Sequence, residues 1–217
     1  MSATNPVDAL FGGMDKLGPG SNRDTQHVLG LLPIKRFSVT VDAGCGAGRQ
    51  TIVLAKDLGT PIQAVDSYEP FLNHLKQRAK EMGVEHLVRT HCMDMKDIST
   101  VFPHIDLLWA EGAAYNIGFS NALSIWATAI KLDGFAVVSE LCWLQPSAAA
   151  SLCPARSSLV ALHRCLNSAL GGQINGETAE PVSTFVMFAR HRRQSGVTMR
   201  IRRGLECRPA RIVIRKR

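Results

Sequence analysis

Residues 41–51 read VDAGCGAGRQT. A short β-branched, apolar stretch, SVTVDA at Ser38–Ala43, runs into three glycines separated by single residues. A helical pattern follows over Arg49–Leu58, with Ile52, Val53, Ala55 and Leu58 as its apolar positions and Gly59 as its stop. Strand, glycine turn and helix in that order let backbone approach a nucleotide-like ligand closely. Glycine takes dihedrals that a β-carbon forbids, and the helix N-terminus favours an anionic group.

The same alternation continues outward from the turn. PIQAVD (Pro61–Asp66) reads as a second strand and EPFLNHLKQRAKEM (Glu69–Met82) as a helix stopped by Gly83. LVRTHC (Leu87–Cys92) is a third strand, with a short helix expected near Met95–Phe102. IDLLWA (Ile105–Ala110) is a fourth strand, NALSIWATAIKL (Asn121–Leu132) a helix closed by Asp133-Gly134, and FAVVSE (Phe135–Glu140) a fifth strand. Alternating β and α segments with apolar strands predict an α/β fold, a mostly parallel central sheet with helices on both faces. Ligands of such sheets bind beyond the carboxyl ends of the strands, so the residues just after each strand are the informative ones.

Those residues select the cofactor. A dinucleotide fingerprint requires G-x-G-x-x-G, whereas Gly44, Gly46 and Gly48 form G-x-G-x-G and Arg49 stands in the third fingerprint position. Asp42 lies two residues ahead of the first glycine, where a carboxylate would repel a pyrophosphate. S-adenosyl-L-methionine carries no phosphate, and its ammonium and sulfonium groups suit an acid there. Asp66 ends the second strand 22 residues beyond Gly44 and can accept hydrogen bonds from both ribose hydroxyls. NAD enzymes use the same device, so Asp66 supports an adenosine ligand without separating the two cofactors. After the third strand, Asp94 in HCMDMKD can meet an adenine amino group, with the Met95 amide reading a ring nitrogen.

VDAGCGAG, AVD and MDMKD together resemble the motifs of class I S-adenosylmethionine-dependent methyltransferases over roughly residues 35–143. MDKLGPGSNRDT (Met14–Thr25) and DLLWAEGAAYNIGF (Asp106–Phe119) are similar to a group of small bacterial methyltransferases of unassigned substrate. The resemblance implies a Rossmann-like methyltransferase fold and the donor S-adenosyl-L-methionine. The donor is expected to meet Lys16, Asp42, Ala43, Gly44, Gly46, Gly48, Asp66, Ser67, Asp94, Met95 and Glu111. Methyl transfer is an in-line displacement, accelerated largely by alignment, and needs a base only if the acceptor must lose a proton. Glu111 and Tyr115, in the loop after the fourth strand, are the catalytic candidates. Glu111 also reads as a cofactor or loop-anchoring carboxylate, and Tyr115 with Asn116 as a packing pair at the pocket floor. KLGPGS reads as a lid over the cofactor, with Lys16, Ser21 and Thr25 able to reach polar groups; a solvated arm is the alternative.

Composition sets the remaining bounds. Residues 1–140 carry 12 Lys and Arg against 15 Asp and Glu, a balance of −3; residues 141–217 carry 13 against 3, a balance of +10. Three organisational segments are expected: an arm at 1–34, the cofactor core at 35–143 and an atypical basic segment at 144–217. PVSTFVMF (Pro181–Phe188) is a credible sixth strand, and Met199–Arg202 and Arg211–Arg215 alternate like strands, whereas class I methyltransferases usually close with a helix and two strands of a seven-stranded sheet. The tail reads as a nucleic-acid-binding surface, a divergent cap, or the product of a shifted reading frame. The scarcity of aromatics among its arginines argues against the first. EGAAYN in place of a D/N-P-P-Y/F loop argues against base N-methylation. The six cysteines lack C-x-x-C pairing and the histidines lack ligand spacing, so no metal is expected, and Cys45 reads as a buried filler. With no apolar run long enough to span a bilayer and no secretory pattern at the N-terminus, a cytoplasmic protein without membrane contact is expected. Methyl transfer to a small molecule is the expected function. The alternatives are a homologue that binds the cofactor without turnover, and a nucleic-acid methyltransferase.

Overall fold

Four consecutive buried residues, Thr40–Ala43, form strand β1. The computed structural model describes residues 20–34, 36–143, 181–193, 196–203 and 210–213, with side chains over 20–34 and 36–139. The described elements run α1 (Asn22–Gly30), β1 (Thr40–Ala43), α2 (Arg49–Leu58), β2 (Ile62–Asp66), α3 (Glu69–Glu81), β3 (Val88–Cys92), α4 (Ile98–Val101), β4 (Ile105–Glu111), α5 (Phe119–Ala129), β5 (Ile130–Trp143), β6 (Pro181–Arg193), β7 (Gly196–Arg203) and β8 (Ala210–Val213). One sheet holds all eight strands in the order β3-β2-β1-β4-β5-β6-β7-β8. Strands β1 to β5 pair with one another in parallel. The chain reverses between β1, which feeds outward to β2 and β3, and β4, which lies on its other side. That switch point opens a crevice at the carboxyl ends of the strands.

Strand periodicity divides the apolar side chains between two layers. Val41, Ala43, Leu108, Ala110, Ala136 and Val138 face α5 and its Phe119, Leu123 and Trp126. Ile62, Ala64, Leu107, Trp109 and Val137 face the other way, against Val28 and Leu29 of α1, Ile52 and Ala55 of α2, and Leu72, Leu75 and Ala79 of α3. The parallel sheet is thus covered on both faces, as its apolar strands require.

Most sequence-predicted boundaries lie within two residues of the observed ones, and α2 coincides with its prediction. The helix expected over Asn121–Leu132 differs: it ends at Ala129, and β5 begins at Ile130. Ile130 pairs with Ile105, and the Lys131 ammonium bonds Asp106 Oδ1 at 2.8 Å, so both residues are held at the sheet. Asp133 then takes a left-handed conformation (φ 65°), and pairing resumes at Phe135 opposite Leu107. Asp106 also accepts the amides of Ser38 and Val39, tying the entry to β1 to the start of β4.

Beyond β5 the sheet departs from the seven-stranded closure. Strands β6, β7 and β8 add one after another in antiparallel pairing, Trp143 opposite Pro181, Arg193 opposite Gly196 and Thr198 opposite Val213. The expected sixth strand is present and runs five residues further, to Arg193. Lys16, the KLGPGS segment up to Pro19, and residues 144–180 lie outside the described residues. Among the described residues no helix is long and apolar enough to cross a membrane.

Gly48 caps α2 in a left-handed conformation (φ 83°), and a β-carbon there would lie 2.1 Å from Leu75 Cδ1. Gly48→Ala is expected to lower stability by about 2–4 kcal/mol, combining a left-handed backbone with overpacking. Urea unfolding of the purified variant beside wild type measures it.

Candidate functional site

The glycine turn is shaped by what it must let past. Gly44, Gly46 and Gly48 all have positive φ. A β-carbon on Gly44 would lie 2.4 Å from Ala113 Cβ, so the turn after β1 and the loop after β4 approach within contact only because Gly44 lacks one. The Gly44 and Cys45 amides donate to the Val65 carbonyl at 2.8 and 2.9 Å, and the Gly46 amide donates to Asp66 Oδ2 at 2.9 Å. The end of β2 therefore holds the turn in place.

A cavity of about 400 Å³ lies across the carboxyl ends of β1, β2, β3 and β4. Its walls come from four loops: Gly44–Gly48, Asp66–Tyr68, Asp94–Lys96 and Glu111–Ile117, with Ala114 excepted, and Gln50 and Phe71 complete the lining. That volume is in the range of small-molecule sites. Of the residues assigned from sequence, Gly44, Gly46, Gly48, Asp66, Ser67, Asp94, Met95, Glu111 and Tyr115 meet at this cavity. Asp42 and Ala43 do not line it; both are fully buried in β1 behind the turn.

Asp66 carries its carboxylate on the cavity wall. Its Oδ1 accepts the Tyr68 amide at 2.9 Å while Oδ2 accepts Gly46. A carboxylate offers about four lone-pair sites, so acceptor capacity remains for hydroxyls. Burial pushes its pKa up, against the lowering effect of the Tyr68, Gly46 and Ser67 amides. Asp94 caps the short turn of Met95–Asp97, accepting the Lys96 amide at 2.9 Å, and its side chain is half-exposed. The Met95 carbonyl accepts the Trp126 indole N–H at 3.0 Å, which fixes this rim against α5.

Glu111, the last residue of β4, is anchored from three directions. Its Oε1 accepts Thr25 Oγ1–H at 2.6 Å and the Trp109 indole N–H at 2.9 Å; its Oε2 receives Arg49 Nη2 at 2.5 Å. Arg49 also donates to Asn22 Oδ1 at 2.8 Å and to Thr25 Oγ1 at 3.0 Å. Sequence reading registered Arg49 only as a missing third glycine; nothing local in the sequence links it to positions 25 and 111. Ser21 is the N-cap of α1, in a reciprocal capping box with Asp24, so its hydroxyl serves the helix. Tyr115, by contrast, is 51% exposed at the mouth, beside Asn116, whose side chain donates to the Ala113 carbonyl at 3.1 Å. Tyr68 and Phe71, edge to face at 4.9 Å between ring centroids, form a wall that sequence reading left unassigned.

Cys45 is a buried thiol with its pKa pushed up, by burial first and then by Asp42 and Asp66, consistent with a packing role. Asp42 accepts Thr51 Oγ1–H at 2.5 Å and the Gln50 amide at 3.3 Å. Burial raises its pKa from 3.8 to about 7, opposed by Thr51, reinforced by Glu111, and opposed further by Gln50 and Arg49.

Residues 40–134 match the family model described as a methyltransferase domain. Among solved structures, the chain is similar to a SAM-dependent methyltransferase from Geobacter sulfurreducens in complex with S-adenosyl-L-homocysteine, with 20% identity, TM-score 0.62, 76% of this chain and 68% of that one. A SAM-dependent methyltransferase from Thiobacillus denitrificans, also in complex with S-adenosyl-L-homocysteine, matches with 17% identity, TM-score 0.61, and 78% and 70% of the two chains. YjhP from E. coli matches with 22% identity and TM-score 0.57; the match covers 66% of this chain and spans 60% of YjhP. The fold is the Rossmann-like α/β fold of methyltransferases, and its glycine turn lies inside the matched segment.

The Asp42 shift has a sign. The folded protein keeps this proton up to about pH 7, whereas the unfolded chain releases it near 3.8, so stability falls as pH rises between those values and levels off above. Asp42→Asn is expected to flatten that fall relative to wild type. Denaturant unfolding of both proteins at a series of pH values from 4 to 8 reads the difference.

Proposed function

We propose that this chain transfers the methyl group of S-adenosyl-L-methionine to a small-molecule acceptor, releasing S-adenosyl-L-homocysteine. The observation that carries the reading is the cavity itself: a glycine turn, a β2 carboxylate with spare acceptor sites and an acid after β3 around one small-molecule volume. It lies at the switch point of a methyltransferase-like sheet, within a segment matching a methyltransferase domain. The two S-adenosyl-L-homocysteine complexes of the same fold support the choice of cofactor.

The residues divide the work along the cavity. Asp66 accepts ribose hydroxyls, while its bonds to Gly46 and Tyr68 keep the carboxylate aimed and the turn in shape. Asp94 and Met95 take the adenine side, where Tyr68 and Phe71 supply an aromatic wall. The turn Gly44–Gly48 and the first amides of α2 favour the carboxylate end of the donor. When bound, the donor would supply an electrophilic methyl carbon on a sulfonium; an acceptor lone pair would attack that carbon in line as the carbon–sulfur bond breaks, leaving the thioether S-adenosyl-L-homocysteine. Tyr115 and Asn116, at the mouth, align that acceptor and exclude water; Tyr115 can accept or relay a proton where the acceptor loses one. Glu111 serves the cofactor side of the site, because action as a base would require it to release Arg49.

Calorimetry should show S-adenosyl-L-homocysteine binding, with Asp66→Ala weakening it about tenfold or more through lost charge-assisted hydrogen bonds. Labelled-methyl transfer to metabolite extracts should be detectable, and Tyr115→Phe should lower it about tenfold at unchanged S-adenosyl-L-homocysteine affinity. Binding of NADH with no response to S-adenosyl-L-homocysteine would overturn the assignment. Binding without any transfer would favour a homologue that holds the cofactor without turnover.

A further inference from the structure

Helix α1 is fastened to two residues, Arg49 and Glu111, that adjoin two of the loops forming the cavity. Arg49 follows Gly48, the last residue of the glycine turn; Glu111 precedes Gly112, the first residue of the loop after β4. From α1, Thr25 donates to Glu111 and accepts from Arg49, and Asn22 accepts from Arg49. Three of the four participants are strongly buried, Asn22 being exposed: the Glu111 side chain is 1% exposed, that of Arg49 10%, and Thr25 is fully buried. Arg49 Nε is buried without a hydrogen-bond partner, so the guanidinium depends on its Nη groups. Withdrawing Glu111 would strand a nearly buried cation, which disfavours partial states. Apolar packing of Val28 and Leu29 seats the same helix, while the polar contacts come from Asn22 and Thr25 near its N-terminus.

We propose that Glu111 is a positioning residue: with Arg49 and Thr25 it ties α1 to the glycine turn and to the loop after β4, two of the four loops that wall the donor cavity, so that donor binding and the seating of α1 are coupled. The inference rests on the donor assignment above. A donor that orders the Gly48 and Gly112 backbones also orders the two side chains peptide-linked to them, and through Thr25 the helix. By linkage, loosening the helix must weaken the donor to the same extent.

The test uses the full chain. Thr25→Val keeps the shape of the buried side chain and the Glu111–Arg49 pair and removes the hydroxyl. In wild type, S-adenosyl-L-homocysteine should slow amide exchange across residues 26–30; in Thr25→Val that slowing should vanish and affinity fall about tenfold, at unchanged circular dichroism. Glu111→Gln, which keeps an acceptor for Thr25 and Trp109 but withdraws the charge facing Arg49, should lose affinity to a similar degree and, with it, the ligand-induced slowing across residues 26–30. The proposal is overturned if α1 exchange ignores the ligand in wild type, if Thr25→Val binds as tightly as wild type, or if Glu111→Gln loses turnover at unchanged affinity. If wild type itself does not bind S-adenosyl-L-homocysteine, the donor assignment falls and the clamp's role with it.

Discussion

Leu75 of α3 occupies the volume that a β-carbon on Gly48 would claim, and Ala113 does the same at Gly44. These two contacts let the turn after β1, the loop after β4 and helix α3 converge on one small volume. The turn's left-handed dihedrals and its bonds to Val65 and Asp66 follow from the same squeeze. With side chains at these glycines, α3 and the β4 loop would stand away from the turn and the cavity would lose two of its walls. The turn is therefore first a packing device; its place on the cavity wall is a consequence.

Electrostatics behind the turn are equally constrained. One guanidinium, Arg49, serves two buried carboxylates. Glu111 takes the ion pair, and Asp42 keeps its proton to about pH 7 with hydroxyl and amide donors instead. Dividing the roles this way limits the uncompensated charge in the interior, where an unpaired ion is costly. It also concentrates the buried ion pair at the junction of α1, α2 and β4, while Tyr115 and Asn116 stand at the cavity mouth.

Periodicity of two in the strands and near 3.6 in the helices, interrupted by glycine, is local information, and it located nearly every element between Thr40 and Ala129. It failed at Ile130–Gly134 because pairing to Ile105 and the Lys131–Asp106 pair overrode a helical pattern. It also did not disclose that β6 to β8 stack as an antiparallel series, since strand order is a property of pairing partners and not of the strands' own residues. The acids at Asp66 and Asp94 could be assigned to the cavity because, in a parallel sheet, residues after successive strands emerge at one end.

The amino-acid sequence alone determined the fold class, the turn where a donor would sit and the strand-end acids around it, because each depends on neighbours a few residues away. Only the tertiary structure decided what Arg49, Glu111 and Asp42 do. Thr25 and Glu111 are 86 residues apart and Arg49 and Glu111 are 62 apart, and they meet because β4 pairs beside β1 while α1 packs over α2. Asp42, two residues from the turn, is turned by strand alternation into the interior and away from the cavity it appeared to serve.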